Sequence, residues 1–288
     1  MHTWNWQTYE GRAYLTCSLL DSWPHGFFTR EFWPQLPAAL APLIQTQTQT
    51  FRVQQVHGNQ VLSTAEVQTY WQQLPCQPSH PDEAPDNTVD TKPKYPQADG
   101  LFSQAKNQGV WVCTADCTPV LIADTRSRQV AAVHAGWRGT AAKIVPVALN
   151  RLQEQGSQLP DIRVAMGPAI AADCYQVTTE VAAQVGSTVI APEFSDASDT
   201  EMTDHLLQLE NSPLLADTEP GRVRLDVRRV NAMQLEQMGL LPEQIAIAPY
   251  CTYQSPDQFF SYRREQCKQV QWSGIVSCTG KHVVDVNK

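Results

Sequence analysis

The sequence predicts an α/β or α+β fold built as a layered sandwich. Three apolar runs, Val110–Thr114, Val120–Ala123 and Val130–His134, have the length and composition of buried strands. A segment with helical periodicity follows them, between residues 139 and 155. Strands and helices are therefore intermixed along the chain, which is the pattern of folds that stack sheets and helices in layers.

The helix expected after these strands runs from Gly139 to about Gln155, because apolar residues recur there at helical spacing. Pro146 lies inside this segment. Proline in a helix interior removes a hydrogen bond, so two alternatives stay open. Either the helix is kinked, or it begins near Lys143 with Pro146 in its first turn.

Three further runs are expected to be strands: Val53–Val56, Ile162–Met166 and Ile245–Ala248. Thr178 or Thr179 can cap a helix that extends through Val185, because threonine side chains accept hydrogen bonds from the first turn. Asp226 can cap a second helix, which extends through Met238. The elements of the C-terminal half therefore continue the mixed pattern.

The composition is that of an ordinary soluble globular protein, with 42% hydrophobic and 17% charged residues among 288. The net charge of -8 argues against nonspecific nucleic-acid binding, which needs a basic surface. No apolar run approaches the roughly 18 residues of a membrane helix, and the N-terminus lacks the basic and apolar regions of a secretory signal. The eight cysteines are therefore expected to be reduced thiols in a cytoplasmic protein without membrane partners.

Two segments differ from the rest in composition. Residues 71–97 contain six prolines, which predicts a loop insertion because proline removes backbone donors. Residues 193–219 contain eight acidic residues and neither Lys nor Arg, which predicts a surface insertion with a short helix around Leu206–Leu209. The net charge is therefore concentrated outside the strand-rich centre.

One cysteine and two histidines are the strongest candidates for a functional site. Cys117 stands at a break between two expected strands, His134 ends the third, and His57 precedes Gly58 after a further run. Three protein ligands with an open fourth position are typical of a catalytic zinc, whereas a structural zinc has four. Each residue alone is also consistent with an ordinary core position. Together they predict a metal site, or a cysteine–histidine site in which Cys117 is the nucleophile.

Asp116 directly precedes Cys117 and is a further candidate. Its carboxylate is expected either to orient an imidazole or to act as a general base, with a turn carboxylate as the plain alternative. Zinc-finger spacing, a phosphate-binding P-loop and a Gly-x-Ser-x-Gly turn are absent from the sequence. The candidate site therefore does not match those common motifs.

Three motifs carry a resemblance to a known family: Gln55-Val56-His57-Gly58, Thr114-Ala115-Asp116-Cys117 and His134-Ala135-Gly136-Trp137-Arg138-Gly139. They resemble the hallmark motifs of the bacterial laccase-domain family, also called multicopper polyphenol oxidase, purine nucleoside phosphorylase or peptidoglycan editing factor. Further similar runs follow in order between residues 25 and 265: His25–Arg30, Ala98–Gly100, Cys174–Val177 and Phe259–Arg264.

The resemblance implies a four-layer sandwich with mixed sheets. It implies a single catalytic domain over residues 1–288, interrupted by insertions at 71–97 and 193–219. It also implies a zinc ion held by His57, Cys117 and His134, with copper as the alternative metal. The proline-rich insertion lengthens the gap between the first and second ligand, but a loop there should leave the site intact.

The activities implied by the resemblance are phosphorolysis of purine nucleosides (adenosine, inosine, guanosine and methylthioadenosine) and deamination of adenosine. Phosphorolysis needs an anion site, and the planar guanidinium of arginine suits phosphate. Arg30, Arg138 and Arg263 are the candidates, each with a structural ion pair as the alternative. Nearby aromatic residues, including Trp137 and Tyr175, are candidates for stacking on a purine.

Three other interpretations use the same residues. The first is a hydrolase that edits cell-wall precursors, which the editing-factor name implies. The second, a copper oxidase of phenols, is disfavoured because seven histidines without a His-x-His pair are too few for a blue site and a trinuclear cluster. The third is a metal-binding scaffold without enzymatic activity. The sequence leaves the oligomeric state open.

Overall fold

The structure, a computed structural model, describes residues 2–74, 95–191, 194 and 197–278. Two six-stranded sheets form its centre. The first contains, in spatial order, β1 (Trp4–Tyr9), β2 (Arg12–Cys17), β3 (His25–Phe28), β15 (Gln271–Val276), β7 (Gln108–Thr114) and β4 (Gln49–Phe51). The second contains β14 (Ile245–Ile247), β10 (Ile162–Met166), β8 (Thr118–Asp124), β9 (Val130–Ala135), β6 (Gly100–Phe102) and β5 (Val61–Ser63).

Both large sheets are mixed. In the first sheet β4 runs parallel to β7, and the other neighbours are antiparallel. In the second sheet β14 is parallel to β10 and β5 is parallel to β6. A third, antiparallel sheet contains β11 (Gln176–Thr178), β13 (Arg222–Leu225) and β12 (Leu214–Ala216).

The described residues form eight α-helices: α1 (Pro37–Ile44), α2 (Thr64–Gln72), α3 (Trp137–Ala141), α4 (Ile144–Glu154), α5 (Thr179–Gly186), α6 (Asp199–Leu207), α7 (Val227–Gln237) and α8 (Tyr262–Glu265). The predicted caps are present. The side chain of Thr178 accepts a hydrogen bond from the backbone N–H of Val181, and that of Asp226 accepts one from Arg229. Each cap satisfies a donor of the first turn that has no partner within its helix.

Apolar side chains join these elements into four layers. Phe27 and Leu121 belong to the core between the two large sheets. Leu149 of α4 and Leu235 of α7 pack on the outer face of the second sheet, and Leu40 of α1 packs on the outer face of the first. The order helix, sheet, sheet, helix confirms the predicted α/β sandwich with mixed sheets.

The segment predicted as one helix between residues 139 and 155 contains two helices. α3 ends at Ala141, and Lys143 adopts a left-handed φ of 55° before α4 begins at Ile144. Pro146 therefore lies in the first turn of α4, where its missing N–H would have had no helical partner. The alternative of a helix that begins near Lys143 is confirmed, and the kinked helix is wrong.

The predicted strand Val53–Val56 is also wrong. Gln54 makes an isolated parallel bridge to Gln97. The amide of Gln55 accepts from the backbone N–H of Cys113 and donates to its carbonyl, each at 2.8 Å. The side chain of Gln55 thus replaces the backbone hydrogen bonds that a continued strand would make to β7, and the chain leaves the sheet after β4.

The two predicted insertions have different outcomes. Residues 75–94 of the proline-rich segment lie outside the described residues, whereas Trp71 and Gln72 end α2 and Tyr95 is buried. In the acidic segment 193–219, the helix expected around Leu206–Leu209 begins earlier, since α6 runs from Asp199 to Leu207, and β12 follows it. Met202 and Leu206, at helical spacing, are buried in a cluster with α5, so their burial gives this segment a helix despite its charge.

The described part of the chain contains no helix that is long and apolar enough to cross a membrane. Its seven cysteines are free thiols, as the sequence predicts.

The variant Leu121→Ala should lower the free energy of unfolding by about 2–5 kcal/mol, because Leu121 is fully buried between the two large sheets. Leu241→Ala is the matched control, since Leu241 is 55% exposed and its loss should change stability by about 0.5 kcal/mol or less. Urea unfolding of both variants measures the difference. Equal effects would contradict the central position of Leu121.

Candidate metal centre

Three segments bring His57, Cys117 and His134 together beside the second sheet. Cys117 lies in the turn between β7 and β8, and His134 lies in β9. Thr118 pairs with Ala135, so the beginning of β8 and the end of β9 meet at the same edge. The loop after β4 supplies His57. One donor atom from each of the three side chains lies within 4.8 Å of the other two.

The backbone around the cluster is adapted to this close approach. His57 and Asp116 have left-handed φ angles of 62° and 90°. Such angles cost free energy outside glycine and are concentrated at functional sites. A Cβ atom on Gly136 would lie 2.8 Å from Sγ of Cys117 and 3.5 Å from Cδ2 of His57. Glycine is therefore required at position 136 by the space that the thiol occupies.

A buried carboxylate links two of the three candidate ligands. Oδ1 of Asp99 accepts hydrogen bonds from Nδ1 of His134 at 2.8 Å and from the backbone N–H of His57 at 2.9 Å. Oδ2 accepts from the backbone N–H groups of Val56 at 3.1 Å and Gly58 at 2.7 Å. Because Nδ1 of His134 donates its proton to a carboxylate, Nε2 is the nitrogen that remains for a metal.

The charges of these groups stabilise one another. Burial by itself raises the pKa of Cys117, but the attraction of His134 and hydrogen bonds from His134 and His57 outweigh it and lower the pKa to about 6. Burial lowers the pKa of His134, but the Cys117 thiolate and Asp99 raise it to about 9. Burial raises the pKa of Asp99, but hydrogen bonds from His134 and Gly58 bring it below its usual value. The cluster therefore favours the thiolate, which is the form of cysteine that binds metals.

The three donors can hold one metal ion. Zinc takes thiolate and imidazole ligands at about 2.3 Å and about 2.0 Å in a tetrahedron, so two donors on one ion are about 3.3–3.6 Å apart. The donor atoms here lie within 4.8 Å of one another, so the exposed His57 must move toward the other two by about 1 Å to complete the site. Three protein donors leave a fourth position for water or substrate, as in catalytic sites.

A cleft beside Cys117 is lined by the aromatic rings of Trp137 and Tyr175. Each ring carries a guanidinium on its face. Arg138 lies 4.4 Å from the centroid of Trp137, and Arg263 lies 4.8 Å from that of Tyr175. Neither arginine has a carboxylate partner among the described residues. The aromatic residues of the cleft are thus each in contact with an arginine that has no carboxylate partner among the described residues.

The contacts of Asp116 are those of a turn carboxylate, which was the plain alternative to the two functional roles. Its Oδ1 accepts the hydroxyl proton of Thr252 and its Oδ2 accepts the backbone N–H of Arg263, both at 2.7 Å. The carboxylate is therefore occupied, and the imidazole of the cluster is oriented by Asp99 instead. Asp116 fixes the segment that carries Arg263 against the turn of Cys117.

The structure also corrects the assignment of Arg30 as a phosphate ligand. Its Nη1 donates to Oε1 of Glu265 at 2.9 Å and to the carbonyl of Pro256 at 2.6 Å. The guanidinium lies 4.4 Å from the centroid of the Phe260 ring. Arg30 is thus held in a structural ion pair, which was the alternative at the sequence level.

Asp99 is the residue whose role sequence reasoning missed. The only signal was its position in the run Ala98–Gly100, where an acidic residue stands between an alanine and a glycine. Such a pattern is equally typical of a surface turn. The segments that bury Asp99 and donate its four hydrogen bonds are distant in sequence. The local pattern therefore does not distinguish a buried carboxylate from one in a surface turn.

The chain is similar to known proteins over most of its length. The sequence profile of the family described as multi-copper polyphenol oxidoreductase laccase matches residues 37–277. A protein of Synechocystis sp. named purine nucleoside phosphorylase is 50% identical over 274 residues, which cover 95% of this chain and 97% of the relative. A protein from an unknown prokaryotic organism named adenosine deaminase is 30% identical over 166 residues, which cover 58% of this chain and 56% of the relative.

Solved structures share the fold. YlmD from Geobacillus stearothermophilus has a TM-score of 0.71 and 23% identity, covering 95% of this chain and 99% of that chain. The Bacillus licheniformis hypothetical protein YfiH has a TM-score of 0.69 and 21% identity, covering 95% of this chain and 99% of that chain. At these identities the likeness establishes the four-layer architecture alone.

The variant Gly136→Ala should weaken metal binding about 10- to 100-fold, because the added methyl group displaces the thiol of Cys117. Gly58→Ala is the matched control within the same site. Its Cβ would lie 3.6 Å from Oδ2 of Asp99, which is an ordinary contact, and its affinity should be unchanged. Competition with a chromophoric chelator measures both affinities. Equal affinities would contradict the steric role of position 136.

Proposed function

The chain belongs to the multi-copper polyphenol oxidoreductase laccase family, and within that family we propose that it is a zinc-dependent purine nucleoside phosphorylase that also deaminates adenosine. The observation that carries the proposal is the cluster of His57, Cys117 and His134 beside the cleft walled by Trp137 and Tyr175. The names of two relatives, one a purine nucleoside phosphorylase and one an adenosine deaminase, support the two activities.

In this proposal His57, Cys117 and His134 are the zinc ligands. One thiolate with two imidazoles is a donor set that zinc accepts, and three protein ligands leave a position for catalysis. A bound zinc supplies a Lewis acid and lowers the pKa of a coordinated water toward about 7. Seven histidines without a His-x-His pair are too few for the copper sites of a phenol oxidase, so we do not propose oxidation.

Trp137 and Tyr175 are the proposed walls of the base site. Purine rings and aromatic side chains stack well because both present flat π faces. A guanidinium group lies over the face of each ring, Arg138 over Trp137 and Arg263 over Tyr175. Because Cys117 lines the same cleft, a purine that stacks on either ring would lie beside the metal cluster.

Arg138 and Arg263 are the proposed phosphate ligands. Arg138 is exposed, and among the described residues its guanidinium contacts the ring of Trp137 without an ion pair. Arg263 donates one hydrogen bond to the carbonyl of Gln176 and retains further donors for an anion. Two guanidinium groups at one cleft can neutralise phosphate and hold it in a fixed orientation.

Phosphorolysis exchanges one bond for another at the ribose. A phosphate oxygen bonds to C1′ while the bond from C1′ to the purine nitrogen breaks. The base leaves with the bonding electron pair and takes up a proton, and ribose 1-phosphate remains. Deamination instead adds the oxygen of water to C6 of adenine and releases ammonia. In both reactions Asp99 keeps the proton on Nδ1 of His134.

Product analysis separates the proposed activities. Purified protein is incubated with adenosine, with and without inorganic phosphate. Ribose 1-phosphate that forms only with phosphate supports phosphorolysis, and inosine that forms without phosphate supports deamination. The absence of both products from protein that contains its metal would contradict the proposal and favour an editing reaction on cell-wall precursors.

The variant Cys117→Ala should lose both zinc and turnover, because it removes the one thiolate of the cluster. Cys267→Ala is the matched control, since Cys267 is an exposed free thiol and both properties should be retained. Elemental analysis and the adenosine assay measure the two effects. Turnover by metal-free Cys117→Ala protein would refute the zinc assignment.

The variants Arg138→Ala and Arg263→Ala should each raise KM for phosphate by about 10- to 100-fold, since a hydrogen bond to a charged group contributes about 1.5–3 kcal/mol. The matched control is Arg126→Ala, because Arg126 is exposed in the turn at the opposite end of β8. Initial rates at varied phosphate give KM for each variant. An unchanged KM in both cleft variants would exclude these arginines from the phosphate site.

A further inference from the structure

We infer that Asp99 is a positioning residue that sets the metal affinity of the cluster by fixing two of its three ligands at once. The inference rests on the proposed assignment of His57, Cys117 and His134 as zinc ligands. Asp99 is completely buried and lies directly before β6, between the segments that carry the two histidines.

The backbone of Asp99 joins the same two segments as its side chain does. Its carbonyl accepts the backbone N–H of His134 at 2.7 Å, and its N–H donates to the carbonyl of Gln60 at 2.9 Å. β6 then continues as the antiparallel neighbour of β9 from Gly100 onward. Main-chain bonds therefore set the distance between the carboxylate and both histidines.

The conformation of the His57 loop depends on the carboxylate. Three consecutive backbone N–H groups, from Val56 to Gly58, point at the two oxygens of Asp99. Consecutive N–H groups around a left-handed residue form a concave anion-binding nest. The φ of 62° at His57 is the left-handed member of this nest. Since the anion compensates the cost of that angle, removal of its charge releases the loop that carries His57.

The orientation of His134 depends on the same carboxylate. Its Nδ1 lies 2.8 Å from Oδ1 of Asp99, which fixes the ring and its tautomer. A carboxylate behind a metal-binding histidine also raises the basicity of the ligand nitrogen, and loss of such partners costs about 10- to 100-fold in metal affinity.

An asparagine at position 99 cannot reproduce both interactions. The carboxylate accepts four hydrogen bonds, two at each oxygen. An amide replaces one of the two acceptor oxygens with an NH₂ group, which only donates. If the NH₂ group faces the backbone N–H groups of Val56 and Gly58, donor meets donor and both hydrogen bonds are lost. If the NH₂ group faces His134, the imidazole must accept at Nδ1 and carry its proton on Nε2, the nitrogen needed by the metal.

The test compares Asp99→Asn with Asp124→Asn, a matched buried carboxylate. Asp124 is 1% exposed and accepts the backbone N–H groups of Arg126 and Ser127 at the far end of β8. Zinc affinity is measured by chelator competition, and the visible spectrum of the cobalt(II)-loaded proteins reports ligand geometry. Thermal unfolding of the metal-free proteins reports stability separately.

The expected result for Asp99→Asn is a loss of zinc affinity of about 10- to 100-fold and an altered cobalt(II) spectrum. Asp124→Asn should keep the affinity and spectrum of the wild type even if its stability falls. Wild-type affinity and spectrum in Asp99→Asn would overturn the inference. Wild-type protein that binds no zinc would instead refute the proposed function, so the two failures are distinguishable.

A measurement on the wild type covers the case in which Asp99→Asn does not fold. Nuclear magnetic resonance of zinc-loaded protein with ¹⁵N-labelled histidine identifies the ligand nitrogen of each imidazole. We expect His134 to bind zinc through Nε2 and to retain a slowly exchanging proton on Nδ1. Binding through Nδ1, or rapid exchange of that proton, would overturn the inference.

Discussion

The candidate site depends on the buried negative charge of Asp99 and on the hydrogen-bond donors that surround it. Removing a carboxylate from water costs free energy unless hydrogen bonds and a positive partner compensate the loss of hydration. Asp99 receives three backbone N–H groups and the imidazole of His134, so its burial is satisfied. The same bonds hold the loop of His57 beside β9. The hydrogen bonds that stabilise the buried charge of Asp99 are therefore the same bonds that position the two histidines of the metal cluster.

The layered core makes this arrangement rigid. β8 and β9 are buried along their whole lengths between the inter-sheet core and the helices α4 and α7. Their register places Cys117 and His134 at one edge, and Gly136 leaves room for the thiol. The loop after β4 supplies His57, and the first residue of α3 supplies Trp137, so both side chains are presented from a rigid scaffold.

The sequence was sufficient for features with a local cause. Apolar runs predicted β7 to β10, and Thr178 and Asp226 were recognised as caps because capping uses adjacent residues. Features with a distant cause were missed. The Gln55 amide replaces a strand ladder on Cys113, and Asp116 binds Thr252 and a backbone N–H far along the chain. The role of Asp99 likewise follows from segments that meet only after folding, and Arg30 shows that residue type alone does not identify a phosphate ligand.

The central claim is that one thiolate and two imidazoles bind a single zinc ion. X-ray absorption spectroscopy of the purified protein, together with elemental analysis, tests it most directly. We expect one zinc per chain with one sulfur neighbour at about 2.3 Å and nitrogen neighbours at about 2.0 Å. Zinc without a sulfur neighbour, or copper in its place, would contradict the proposed binding of zinc by Cys117, His57 and His134.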